Sequence, residues 1–254
     1  MKELAYRVYP SNRESVESIK DVEGMKEVQI VLAFARDYDA TGSTNGKFVP
    51  YFNPNFTPEW IREIKKISKS TVKFFLSIGG RNKKYPFYIP SDRDSWVKNA
   101  IDSLKDIVNN YGFDGIDVYY EHVTPGNETD FVKAIGEVIS VLKLSNENVI
   151  ARASLAISFP LMSLYEALYE ENPALFHDRV FQIYTCTASP TVDELVRVSD
   201  RLRPTDPNSK IFLGYSVLPS DWKNVPRPIF FDWLLEMGIH SISEWTVTDH
   251  DPEN

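Results

Sequence analysis

The 254-residue chain holds a single cysteine, Cys186, so no intramolecular disulfide can form and a disulfide-stapled scaffold is excluded. No run of about 20 apolar residues is present, which argues against a membrane-spanning helix. The opening segment, MKELAYRVYP, enters a strand-like run at once without an apolar leader. With one thiol and no leader, the expected location is the cytoplasm or an intracellular storage compartment. Basic residues are outnumbered 28 to 36 by acidic ones, for a net charge of −8. They are scattered, and without a basic stripe nucleic acid is not an expected partner. The four histidines, His122, His177, His240 and His250, never fall at metal-ligand spacing, so no metal is expected. No Ser-His-Asp order, phosphate loop or dinucleotide fingerprint occurs, and no cofactor is expected. Repeats, low-complexity tracts and linkers are also lacking, which reads as one domain over residues 1–254.

What is present is regular alternation. Strand-like runs rich in β-branched and aromatic residues occur at 4–9, 27–34, 71–78, 113–120, 148–156, 179–185, 210–217 and 239–247. Between them lie amphipathic segments at 57–68, 95–112, 128–143, 163–171, 191–202 and 228–238. The first opens with Thr57 as N-cap and Pro58 at the first helical position. The second places Trp96, Ala100, Leu104 and Ile107 on one face and stops at Gly112. Strict β/α alternation implies parallel strands with helical crossovers. Eight such strands in about 250 residues favour a closed (β/α)8 TIM barrel over an open flavodoxin-like sheet, which five strands would exhaust. Nine residues follow Trp245, so the last helix is expected to be short or missing.

The fourth strand, FDGIDVYYEH (113–122), concentrates acidic residues. Side chains alternate along a strand, so Asp117, Tyr119 and Glu121 share one direction, inward in a barrel. Glu121 then lies at the C-terminal mouth, where barrel active sites gather. Asp114 has the opposite parity and is expected to shape the strand entrance.

DGIDVYYE resembles the D-G-x-D-x-D-x-E signature of glycoside hydrolase family 18, the chitinase family. LAFARDY (32–38) is similar to its second-strand motif, SIGG (77–80) to its third, and FQIYTC (181–186) to its sixth, with Tyr184 facing substrate. ISEWTV (242–247) supplies Trp245 where the family keeps a tryptophan under the sugar, and YRVY (6–9) is similar to the first strand of plant class III chitinases. The resemblance implies substrate-assisted hydrolysis, in which the sugar's own N-acetyl oxygen is the nucleophile and the last glutamate is the acid. It also implies a substrate-binding set of Tyr9, Phe34, Gly79, Gly80 and Trp245 around Asp117, Glu121 and Tyr184.

Two positions depart from that pattern. Tyr119 stands where the signature has the aspartate that orients the acetamide, and Asp117, roughly 13 Å from Glu121 along the strand, is too distant to replace it. Arg81 follows SIGG directly; it either points into solvent or pairs with Glu121 and holds it ionised. Together with the lack of disulfides, these departures resemble the narbonin-type branch of legume seed proteins. The expectation is therefore a catalytically inactive chitinase-like barrel serving in storage, binding or partner association. A weak chitinase or N-acetylglucosaminidase with Glu121 as acid is the alternative, as is a chito-oligosaccharide-binding lectin. A chito-oligosaccharide or a protein is the expected partner.

Three further points stay open on sequence alone. Arg152 points either toward Asp117 or Glu121, or out toward a helix. Cys186 reads as a buried thiol on the same strand as Tyr184. The two long loops after the second and third strands carry Phe48, Tyr51, Phe52, Tyr85, Phe87 and Tyr88, which either stack on sugars or plug the mouth.

Overall fold

A computed structural model describes residues 4–21, 25–90, 92–201, 209–217, 232–233, 236 and 241–247. Nine strands appear among them: β1 (Leu4–Tyr9), β2 (Met25–Tyr38), β3 (Thr44–Pro50), β4 (Thr71–Gly80), β5 (Gly115–Tyr120), β6 (Arg152–Ser158), β7 (Asp178–Gln182), β8 (Ile211–Ser216) and β9 (Ile242–Trp245). Six helices run between them: α1 (Arg13–Ile19), α2 (Pro58–Ile67), α3 (Arg93–Tyr111), α4 (Glu128–Leu144), α5 (Met162–Glu171) and α6 (Val192–Arg201). Eight parallel strands close in the order β1-β9-β8-β7-β6-β5-β4-β2, and β2 pairs back onto β1. This is the (β/α)8 barrel that the alternation implies. The helix expected at 228–238 falls outside the described residues except at 232, 233 and 236, and so does the segment after residue 247.

Local signals fix the helix ends. Thr57 Oγ1 accepts from the Trp60 amide, with Pro58 at the first helical position of α2. Asp92 caps α3, and Gly112 ends it at φ 74°, a left-handed geometry that glycine adopts without a Cβ clash. Asp114 sits at the entrance of β5, as its parity implies. It accepts from the Phe74 amide and pairs with Lys65 at 2.7 Å.

Two elements differ from the sequence expectation. The stretch 44–50, read as loop, is β3, which lies antiparallel on the distal end of β2. Its other edge meets α3: the Phe48 amide donates to Ser103 Oγ and Asn99 Nδ2 donates to the Asn45 carbonyl, both at 2.9 Å. At Gly46 a Cβ would lie 2.2 Å from the Trp96 carbonyl oxygen, so only glycine allows this approach. In consequence Phe48, Phe52 and Phe87 are not mouth aromatics. They are buried between barrel and helices, and Phe48 and Phe87 pack edge-on to Trp96. The second difference is α1, a short helix whose buried residue is Val16.

Two apolar clusters result. The larger fills the layer between barrel and helices. The smaller fills the barrel itself with Ala5, Tyr9, Val31, Phe34, Phe75, Tyr119, Ala156, Val180, Tyr184, Phe212 and Trp245.

Candidate active site

Across the middle of the barrel lies a buried polar layer built on Arg7 and Asp117, both fully buried. Arg7 donates to Asp117 at 2.6 Å, to Gln29 at 2.6 Å and to Ser154 at 2.9 Å. Asp117 also accepts from Tyr9 at 2.9 Å, Ser77 at 3.0 Å and Ser154 at 2.6 Å. A buried carboxylate with one guanidinium and three hydroxyl donors is fully compensated. Asp117 therefore anchors four strands, and Tyr9, named above for the substrate side, is tied to it. Burial drives the Tyr9 phenol well above its ordinary range, so it stays a donor.

Arg152 resolves toward the N-terminal end of the strands. Its guanidinium bonds both oxygens of Glu27 at 3.1 Å and both of Asp178 at 2.9 Å. Neither Asp117 nor Glu121 is among its partners. Gln29 joins the two layers by donating to Glu27 and Asp178. Arg7 and Gln29 were not singled out from the sequence. The signal was available, since Arg7 has the parity of Ala5 and Tyr9.

At the C-terminal mouth the alternation of β5 brings Tyr119 beside Glu121, and the Tyr119 hydroxyl donates to Glu121 Oε1. Arg81 Nε lies 3.3 Å from the same oxygen. Its guanidinium also sits 5.5 Å from the Trp245 ring and 6.0 Å from that of Tyr184. The Tyr119 ring stacks on Phe34 with 5.2 Å between centroids and 1° between planes, and contacts Trp245 at 5.5 Å. Tyr9 closes the group at 5.0 Å from Trp245. The outcome is a filled bowl: Tyr119 is 0% exposed and Trp245 1%. Burial, followed by the Glu121 charge, holds the Tyr119 phenol far above its ordinary range, so it donates to the carboxylate at every physiological pH.

The glycines are dictated by the same contacts. Gly79 has φ 104°, and a Cβ there would lie 2.2 Å from the Tyr119 carbonyl oxygen. Gly80 has φ 147° and faces Phe34 and Arg36. The Ala33–Phe34 peptide is cis. Tyr184 is not on a strand. β7 ends at Gln182, and Tyr184 lies in a single 3-10 turn, its hydroxyl donating to the Gln182 side-chain oxygen. Cys186 follows that turn instead of sharing a strand with Tyr184; burial pushes its thiol up to about 12.

Of the loop aromatics, Tyr51 and Tyr85 both pack on Arg36, with its guanidinium 5.3 and 4.9 Å from their ring centres. Tyr38 packs on Tyr85 at 5.2 Å and donates to the Pro86 carbonyl. Just beneath them Asp37 is buried at 5% exposure, accepting from Thr44 and, at 2.9 Å, from the Trp96 indole. Burial pushes its carboxyl above the usual range, partly offset by those two donors. Among the described residues no group of His, Cys, Asp and Glu could hold a metal ion, and no helix is long and apolar enough to cross a membrane.

The family model for glycosyl hydrolases family 18 matches residues 20–232. A RuBisCO-associated protein from Glycine max is 36% identical over 219 residues, covering 82% of this chain and 77% of that one. Chitinase 1 from Tulipa saxatilis subsp. bakeri is 30% identical over 259 residues, covering 97% of this chain and 81% of its own length. A solved family 18 chitinase from Crocus vernus superposes with a TM-score of 0.79 at 27% identity, covering 95% and 92% of the two chains. The barrel, the signature on its β5 strand and these matches agree, and the chain belongs to glycosyl hydrolase family 18, among its plant chitinase-like members.

Proposed function

We propose that this chain is a chitinase-like barrel that has given up hydrolysis and works by association with a partner. One observation carries the reading: the Arg81 guanidinium occupies the space over Trp245 and Tyr184 while pairing with Glu121. The family's chemistry needs that glutamate protonated and that indole open to the sugar. Here a guanidinium and a phenol both favour the ionised carboxylate, and the indole is covered. The aspartate that would stabilise the cationic intermediate is Tyr119, a neutral ring stacked on Phe34.

Loss of the general acid costs about 10²–10⁴ in rate and loss of the electrostatic stabiliser about 10²–10³. The two together place turnover at least roughly 10⁴-fold below that of an intact site. The lectin alternative is weakened by the same cover over Trp245. A relative named for its association with RuBisCO supports a role through protein contact; a seed storage role remains an alternative without a site-specific observation behind it.

The test is titration of chitotetraose into the protein by calorimetry, with chromatographic detection of products after prolonged incubation. The expected result is neither saturable heat nor shortened oligomers. Turnover within about 10²-fold of the Tulipa relative would restore an enzyme, and saturable heat without products would make the protein a lectin.

A further inference from the structure

One side of the rim around the filled bowl is cationic in an acidic protein. Residues 40–58 and 81–90, which contribute to this side of the rim, contain no Asp or Glu. They contribute Lys47, Arg81, Lys83 and Lys84, and Arg36 rises between them from the end of β2. Arg81 is committed to Glu121. Arg36 is different: its guanidinium lies over the rings of Tyr51 and Tyr85, and its Nε is buried without a hydrogen-bond partner among the described residues. Lys83 and Lys84 are exposed, as is Lys47. Tyr51 and Tyr88 are exposed, at 45% and 36%. Three exposed carboxylates flank these segments, and each is engaged locally: Asp39 accepts from Thr41 and Ser43 in its own turn, Glu59 pairs with Arg62, and Asp92 caps α3.

An arginine packed against two tyrosine rings has already lost rotamer freedom, so less entropy remains to be lost when it binds. Tyrosine and arginine are also the side chains that dominate interface energetics. We infer that this rim, Arg36 with Tyr51, Tyr85, Tyr88, Lys83 and Lys84, docks an acidic segment of a partner protein, with a carboxylate received by Arg36. The inference rests on the associative reading above and names the chemistry of its partner. A protein segment fits better than a sugar because Tyr119 and Trp245 are buried and what remains exposed here is aromatic and positively charged.

Panning a phage-displayed random dodecapeptide library on the intact protein tests this. Enriched peptides should be rich in Asp and Glu, and a fluorescein-labelled copy should bind roughly tenfold more weakly to Arg36→Gln. It should also bind more weakly to Lys83→Gln/Lys84→Gln, whose exposed positions leave folding intact, and at raised salt. Enrichment of neutral or basic peptides, or binding indifferent to all three substitutions, overturns the inference. Polygalacturonate that competes at lower concentration than the peptide, with the same dependence on Arg36, would also overturn it, in favour of an acidic polysaccharide. A chitotetraose assay on the same preparation reports separately on hydrolysis, so failure of one reading is distinguishable from failure of the other.

Discussion

Three carboxylates, one on β5, one just after it and one on β2, meet different fates within the same barrel. Asp117, at mid-height, is sealed from water and neutralised by Arg7 and three hydroxyls. Asp37, under the rim, is nearly as deeply buried but receives only Thr44 and the Trp96 indole, without a cation. Glu121, at the mouth, keeps partial access to water and is shared between Arg81 and Tyr119. The middle of the barrel is built for stability and its upper end is not. The proposed loss of hydrolysis lies at that upper end.

The contrast predicts a hierarchy of effects. Asp117→Asn leaves the Arg7 guanidinium buried beside a neutral amide, and should cost about 3–5 kcal/mol in urea unfolding; a cost near that of a surface substitution would break the comparison. Gly79→Ala comes next. It forces a Cβ against the Tyr119 carbonyl at a positive φ, for about 2–4 kcal/mol, measurable as a lowered Tm. Tyr119→Phe removes one hydrogen bond to a charged group while keeping the stack on Phe34, and should cost about 1–2 kcal/mol. Arg81→Ala should change stability by about 0–1 kcal/mol, yet it uncovers Trp245, so acrylamide quenching of tryptophan fluorescence should rise. Unchanged quenching would mean that something other than Arg81 covers the indole.

Asp37 sharpens the comparison through pH. Its folded-state carboxyl titrates above the unfolded value because burial dominates, so the folded protein binds the proton more tightly. Stability contributed by this group is then greatest at acid pH and falls as pH rises from the ordinary Asp range through the raised one. Asp37→Asn should flatten the part of the stability–pH curve that lies above the ordinary Asp range. A variant whose curve keeps the wild-type slope there would assign the slope to other groups.

Much of this could be read from the chain. The eight barrel strands announced themselves as β-rich runs at regular spacing, and parity along β5 put Asp117, Tyr119 and Glu121 on one inward line. β3 was hidden because Asn45, Gly46 and Pro50 read as turn residues; the strand is held by α3 and by the end of β2, contacts far off in sequence. That hidden strand also misdirected Phe48 and Phe52, which look like loop aromatics until the pairing is known. α1 carries one buried residue, too little for a periodicity to show. Whether Arg81 turned to solvent or to Glu121 was undecidable from spacing, because it depends on where Trp245 and Tyr184 arrive from the other side of the barrel.

The way α3 closes the outer side of β3 has a bearing on solubility. A closed barrel has no free strand margin, but appending β3 to β2 creates one, with unpaired amides and carbonyls able to template strand addition from another copy. Ser103 and Asn99 take up two of those groups, and Gly46 lets the helix approach closely enough to shield the rest. Replacing Ser103 and Asn99 by alanine should therefore show itself first as self-association on concentration, before any loss of the barrel.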